Sequence, residues 1–133
     1  MSIWKKISSK VLLEHPRIKV VEDLVDIGKS EPIEYMRFET PKSAGGVTVI
    51  CEWDEKVLVQ REYSYPINQF LLQFPGGRIN PEEKPEEAAK RELQEESGFI
   101  ADKVRLLGWY YPNPRRMDIK MYVVYVHGEM KEG

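Results

Sequence analysis

The chain has 133 residues, 41% of them hydrophobic and 32% charged, and a formal net charge of −2, which suits one domain with its own core and argues against general affinity for a nucleic-acid backbone. It contains no run of about 18 apolar residues able to span a membrane, and its start, MSIWKKISSK, lacks the apolar centre of a signal peptide, so a cytoplasmic location is expected. Cys51 is the only cysteine, which excludes an internal disulfide and reads as a small core residue, while His15 and His127 lack zinc-ligand spacing and read as structural or surface groups.

Strand patterning covers 17–27 and 33–39, then 47–53 and 56–63, the last two joined by the turn residues Asp54 and Glu55. Residues 71–74 read as a short strand entering a tight turn at Pro75-Gly76-Gly77, whose bare backbone can bring a carbonyl or an amide close to an ion or a phosphate. A helix is expected over 85–97, with Pro85 in its first turn, Glu86 and Glu87 at the positive end of its dipole, and Gly98 as its stop. Beyond it, 104–110 and 119–126 read as two more strands, the second nearly continuous in apolar residues as at the centre of a sheet. The expected architecture is α/β (α+β), a mixed sheet with this helix packed on it.

The helix carries an unusual load of negative charge. At about 100° per residue, Glu92, Glu95 and Glu96 fall within an arc of roughly 100°, beside an apolar stripe of Ala89 and Leu93. Like charges at i,i+4, such as Glu92 and Glu96, destabilise a helix by about 0.2–0.5 kcal/mol. Arg91, one turn before Glu95, can hold that carboxylate but cannot neutralise all three. Oxygen ligands gathered this way suit a hard divalent cation, Mg²⁺ or Mn²⁺, that takes its remaining ligands from water and substrate phosphate. A solvated helix face would account for the carboxylates alone; the glycines upstream favour a site.

Together these positions resemble the signature of the Nudix hydrolases, G-x5-E-x7-R-E-U-x-E-E-x-G-U with U a bulky apolar residue, met over 77–99 by Gly77, Glu83, Arg91, Glu92, Leu93, Glu95, Glu96, Gly98 and Phe99. The resemblance implies a loop-helix-loop that binds divalent metal and cleaves a diphosphate linkage in a nucleoside diphosphate derivative, within a single domain over 1–133. It makes Glu92, Glu95, Glu96 and the Gly77 carbonyl the metal ligands, and Arg91 with Glu83 the residues that orient them. It also implies an α/β/α sandwich; relatives carry a further helix after the last strand, whereas this sequence stops at Gly133, so that helix is expected to be missing or short. Many relatives take another acidic residue from the same region, for which only Glu129 and Glu132 are available.

Substrate choice lies outside the signature. The stretch 57–77 resembles that of ADP-ribose pyrophosphatases, where an R-Q-Y-R-Y-P-like run precedes the glycines: Arg61, Tyr63, Tyr65 and Pro66 match, whereas Glu62 and Ser64 depart, and the loss of the second arginine, at Ser64, removes a phosphate or ribose contact. Pro114 falls where that subgroup has a characteristic proline, and residues 1–40 match N-terminal strands that often serve dimerisation there. A nucleoside diphosphate site wants aromatic faces and guanidiniums, which Tyr65 and Tyr111, and Arg61, Arg115 and Arg116, can supply; Tyr63, Trp109 and Tyr110 offer further aromatic faces, and strand aromatics also serve as core. The expected substrate is ADP-ribose or a nucleotide sugar. Alternatives are a nucleoside triphosphate or dinucleoside polyphosphate, or a nucleotide-sensing or partner-binding module with weak or no catalysis.

Overall fold

A computed structural model of the protein describes residues 3–40 and 45–129, the last two by backbone alone. The chain gathers into two compact units, Met1–Lys42 with Tyr111–Ile119, and Ser43–Tyr110 with Lys120–Gly133.

The first unit holds a three-stranded antiparallel sheet in the order β1 (Lys5–Glu14), β2 (Lys19–Asp26), β3 (Ile33–Glu39). β2 and β3 are the expected strands. β1 is not legible from alternation, since every residue of KKISSKVLLE is exposed; its pairing along β2 defines it. Asp23 of β2 is buried, and it accepts from the Ser9 hydroxyl and from Arg37 Nε at 2.6 Å, so the buried charge is compensated. The Arg37 guanidinium holds the Asp23 carboxyl below the usual carboxylate range.

The second unit contains β4 (Gly46–Trp53), β5 (Lys56–Val57), β6 (Gln60–Ser64), β7 (Gln69–Gln73), β8 (Gly76–Arg78), α1 (Pro85–Ser97), β9 (Ile100–Tyr110) and β10 (Met121–Glu129). Its mixed sheet has the order β5-β4-β10-β9, with β8 on the start of β4. β10 runs parallel to β4, Met121 opposite Gly46 and His127 opposite Glu52, and antiparallel to β9. This places the most apolar strand in the centre, as its composition requires. Asp54 and Glu55 have φ values of 50° and 59°, the left-handed pair of a two-residue hairpin.

Alternate residues of the two central strands, Val47, Val49 and Cys51 with Val124 and Val126, point to one face. α1 covers that face with Ala88, Ala89 and Leu93, and Ile79 and Phe99 close the cluster. Burying such aliphatic side chains stabilises by about 1.5–3 kcal/mol each. The mixed sheet with a helix on it is the expected fold; the residues that would follow the last strand lie outside those described.

Two expectations need correction. The strand anticipated over 56–63 is broken: Leu58 N donates to Cys51 O at 2.9 Å, closing the β4–β5 hairpin, and from Gln60 the chain leaves the sheet to pair with β7 as a separate ribbon. Pro75-Gly76-Gly77 is not a turn. These residues run into β8, antiparallel to β4, with Pro75 O accepting from Val49 N at 2.8 Å.

The glycines are required there by close approach rather than by backbone conformation. A Cβ on Gly76 would lie 2.2 Å from the Val47 carbonyl oxygen, whereas one on Gly77 would lie 2.5 Å from the Glu92 carboxylate carbon. Gly98 is the opposite case, with φ 76° at the helix C-cap and open space where a methyl group would stand. Gly98→Ala should therefore cost about 1–2 kcal/mol, the left-handed penalty. Gly76→Ala should cost more, because the obstructing atom is backbone of the central sheet. Urea unfolding midpoints of the two variants check this; equal losses would contradict the β4–β8 packing.

Candidate active site

α1 begins at Pro85 with an uncapped Lys84 and ends at Gly98, whose N donates to Gln94 O at 2.9 Å. The first turn carries Glu86 and Glu87, favourable toward the helix dipole. The last carries Glu95 and Glu96 and no basic residue, which is unfavourable. The compensation comes from outside that last turn.

Arg91 supplies most of it. Its Nε and Nη2 donate to the two oxygens of Glu83, each at 2.9 Å, in a bidentate pair. Nη1 donates to Glu92 Oε1 at 2.8 Å and to Glu95 Oε2 at 3.4 Å, and Nη2 also donates to the Arg78 carbonyl at 2.9 Å. These contacts use all five N–H groups of the guanidinium. Glu83 is held in turn by the Asn80 amide at 3.0 Å, and the Arg91 fork lowers its pKa below the usual value. Arg91 itself is raised further by Glu83 and Glu92.

Glu92 is nearly buried against the bare backbone of Gly77. Glu96 is served differently: its Oε2 accepts from Gly76 N at 3.1 Å and from Gln60 Nε2 at 3.4 Å. The residue is exposed overall, but its carboxylate turns in against β8. Partial desolvation there, with Glu92 nearby, raises its pKa despite those two donors.

The structure brings the sequence candidates Gly77, Glu83, Arg91, Glu92, Glu95 and Glu96 together along β8 and the facing side of α1. Their carboxylates are spread by their partners: among the described residues, no three His, Cys, Asp or Glu side chains are gathered closely enough to hold a metal ion. Sequence reasoning missed Gln60, the Gly76 amide and the Arg78 carbonyl. The last two are backbone groups without a side-chain signal, and Gln60 becomes visible only once the ribbon's departure from the sheet is known.

The candidate substrate residues fall in both units. Arg61 of β6 stacks its guanidinium 4.2 Å from the centre of the Phe70 ring, Tyr63 bonds Asn68, and Tyr65 stands exposed at the ribbon's tip. Tyr111, Pro114, Arg115 and Arg116 belong to the first unit. There Phe38 N donates to Arg116 O at 2.6 Å, Arg116 Nη1 donates to Met36 O at 2.8 Å, and the Tyr35 hydroxyl donates to Arg115 O, pinning this loop to β3. Trp109 of β9 lies under Lys120 Nζ at 4.5 Å. Of the two acidic residues considered as a base, Glu132 lies outside the described residues and Glu129 is described by backbone alone, ending β10.

Residues 42–133 match the NUDIX domain family. The chain belongs to the Nudix family. It is 31% identical over 86 residues to "ADP-ribose pyrophosphatase" of Bacillus subtilis (strain 168), covering 64% of this chain and 46% of that protein. It is 50% identical over 56 residues to "RNA pyrophosphohydrolase" of Pseudomonas putida (strain GB-1), covering 38% of this chain and 35% of the other. This chain therefore spans less than half the length of either relative. A solved structure, "Crystal structure of ADP compounds hydrolase", has the same fold: TM-score 0.86 at 24% identity, over 100% of this chain and 73% of that one. No helix among the described residues is long and apolar enough to cross a membrane.

Arg91→Met should leave Glu83, Glu92 and Glu95 without their shared cation and cost about 1–3 kcal/mol of metal-free stability at neutral pH. Because Arg91 depresses the Glu83 pKa, its contribution is present above the ordinary carboxylate value and is lost as pH falls through the depressed one. The gap between variant and parent in thermal midpoint should accordingly narrow below about pH 4. A gap independent of pH would contradict the ion pairs.

Proposed function

We propose that this Nudix domain hydrolyses the diphosphate linkage of a nucleoside diphosphate derivative, ADP-ribose or a nucleotide sugar, to a nucleoside monophosphate and a sugar phosphate. The observation that carries the reading is the Arg91 fork, which gathers Glu83, Glu92 and Glu95 about a single cation and sets Glu92 against Gly77. A solvated helix has no need of that arrangement. The names of the pyrophosphatase relative and of the ADP compounds hydrolase support the substrate class.

The fit to a hard cation is one of donor chemistry and would need the spread carboxylates to draw in: Glu92, Glu95, Glu96 and the Gly77 carbonyl are all oxygen donors, and Gly77 has no side chain to keep Glu92 from approaching its backbone. They would hold Mg²⁺ or Mn²⁺, which when bound supplies neutralisation of the diphosphate oxygens and a more acidic water. Arg91 and Glu83 orient the glutamates. Water adds its oxygen to one phosphorus, and the bridging oxygen leaves with the other phosphate and takes up a proton, so no nucleophilic side chain is required. Within the second unit, Arg61 is assigned to phosphate or ribose oxygens and Tyr65 to the base. A homodimer through the first unit's strands belongs to the same reading, supported by Ile7, Val11 and Leu13 exposed along β1.

The stretch shared with RNA pyrophosphohydrolases favours a second reading, cleavage within a nucleoside triphosphate or dinucleoside polyphosphate. A panel of ADP-ribose, GDP-mannose, ATP, a dinucleoside polyphosphate and 5′-triphosphorylated RNA, with and without Mg²⁺, separates the two. We expect Mg²⁺-dependent AMP release from ADP-ribose, reduced by orders of magnitude in Glu96→Gln while that variant's metal-free thermal midpoint holds or rises. Turnover confined to triphosphates, or equal turnover in Glu96→Gln, would overturn the reading.

A further inference from the structure

Arg91 reaches Glu83, Glu92 and Glu95. Glu96, in the helix's last turn and closest to the unfavourable end of the dipole, is held instead by two donors on one oxygen: Gly76 N at 3.1 Å and Gln60 Nε2 at 3.4 Å. The two donors differ in kind. Gly76 is fixed in β8, pressed against Val47, so its amide has one direction available. Gln60 is a side chain at the root of the β6–β7 ribbon, where it is the ladder partner of Gln73. That ribbon pairs with no strand of the mixed sheet, and a lone two-stranded ribbon is marginally stable by itself.

We propose that Gln60 is a positioning residue for Glu96, doing for this carboxylate what Arg91 does for Glu83, Glu92 and Glu95, and that through it the ribbon bearing Arg61, Tyr63 and Tyr65 is tied to the metal-binding end of the signature. A neutral amide suits the task. It orients the carboxylate with one N–H and leaves its negative charge for a cation, where an arginine or lysine would neutralise it. The inference rests on the reading of Glu96 as a metal ligand given above.

The test is Mn²⁺ titration calorimetry on the substrate-free protein, with the metal-free thermal midpoint measured beside it. Gln60→Leu removes the donor, Gln60→Glu keeps the shape but turns the donor into a like charge, and Gln73→Leu removes an amide from the same rung. Gln60→Leu should weaken Mn²⁺ binding about tenfold with its midpoint unchanged, the scale expected for a group orienting a ligand. Gln60→Glu should weaken binding further, and Gln73→Leu should bind as the parent does. In turnover, the Gln60→Leu defect should appear as a higher Mg²⁺ requirement and be rescued by saturating Mg²⁺. If the parent binds Mn²⁺ and Gln60→Leu binds it equally well, or if Gln73→Leu weakens it as much, the proposal is overturned by itself. A parent that binds no Mn²⁺ overturns the functional reading and the proposal together.

Discussion

The second unit is organised around one guanidinium. Arg91 spends its five N–H groups on partners from three parts of the chain: Glu83 in the segment before the helix, Glu92 and Glu95 on the helix, and the Arg78 carbonyl in β8. A planar, permanently charged fork can satisfy these directions at once, and a lysine cannot. The same contacts fix the chain path from β8 into the helix, so the order of that loop and the placement of the carboxylates have one cause. One positive charge among three negative ones leaves the end of β8 electron-rich, which is the electrostatic condition for attracting a divalent cation.

The fold makes room for this. β8 lies so close to β4 that Gly76 tolerates no Cβ, and that closeness puts the Gly76 amide within reach of Glu96 and the Gly77 backbone against Glu92. α1 is held by its opposite side, where Ala88, Ala89 and Leu93 sit on the valines of the two central strands. Aliphatic packing on one side of the helix thus sustains repulsion on the other: Glu95 and Glu96 oppose the dipole, and Glu96 is partly desolvated beside Glu92. A helix selected for stability alone would carry lysine or arginine in that last turn. Here local preference gives way where chemistry is expected, as functional sites commonly show.

The helix and its carboxylate-bearing face were legible in the sequence because their signals are local. Pro85, the acidic first turn, Gly98 and the spacing of Glu92, Glu95 and Glu96 all act within a few turns, and Arg91 was placed to hold Glu95. The central position of β10 was legible from its apolar run. What was not legible depended on contacts between distant segments. Pro75-Gly76-Gly77 has the composition of a turn, and only the Val47 carbonyl shows that its glycines serve close approach in an extended strand. The stretch 56–63 looks like one strand, yet the Leu58 bond to Cys51 ends one hairpin and starts a ribbon elsewhere. β1 is exposed on both sides, so it has no alternation to read. The loop of Pro114, Arg115 and Arg116 was noticed for its composition, whereas its attachment to β3 through Tyr35 and Met36 had no signal within the loop.

Whether these carboxylates surround a divalent cation at the end of β8 is tested most directly by an anomalous-scattering map from crystals of the protein grown with Mn²⁺. The map should show a peak coordinated by the Gly77 carbonyl, Glu92, Glu95 and Glu96, with Arg91 still on Glu83. Full Mn²⁺ exposure with no peak there, or a peak held by other residues, would contradict the assignment of the site.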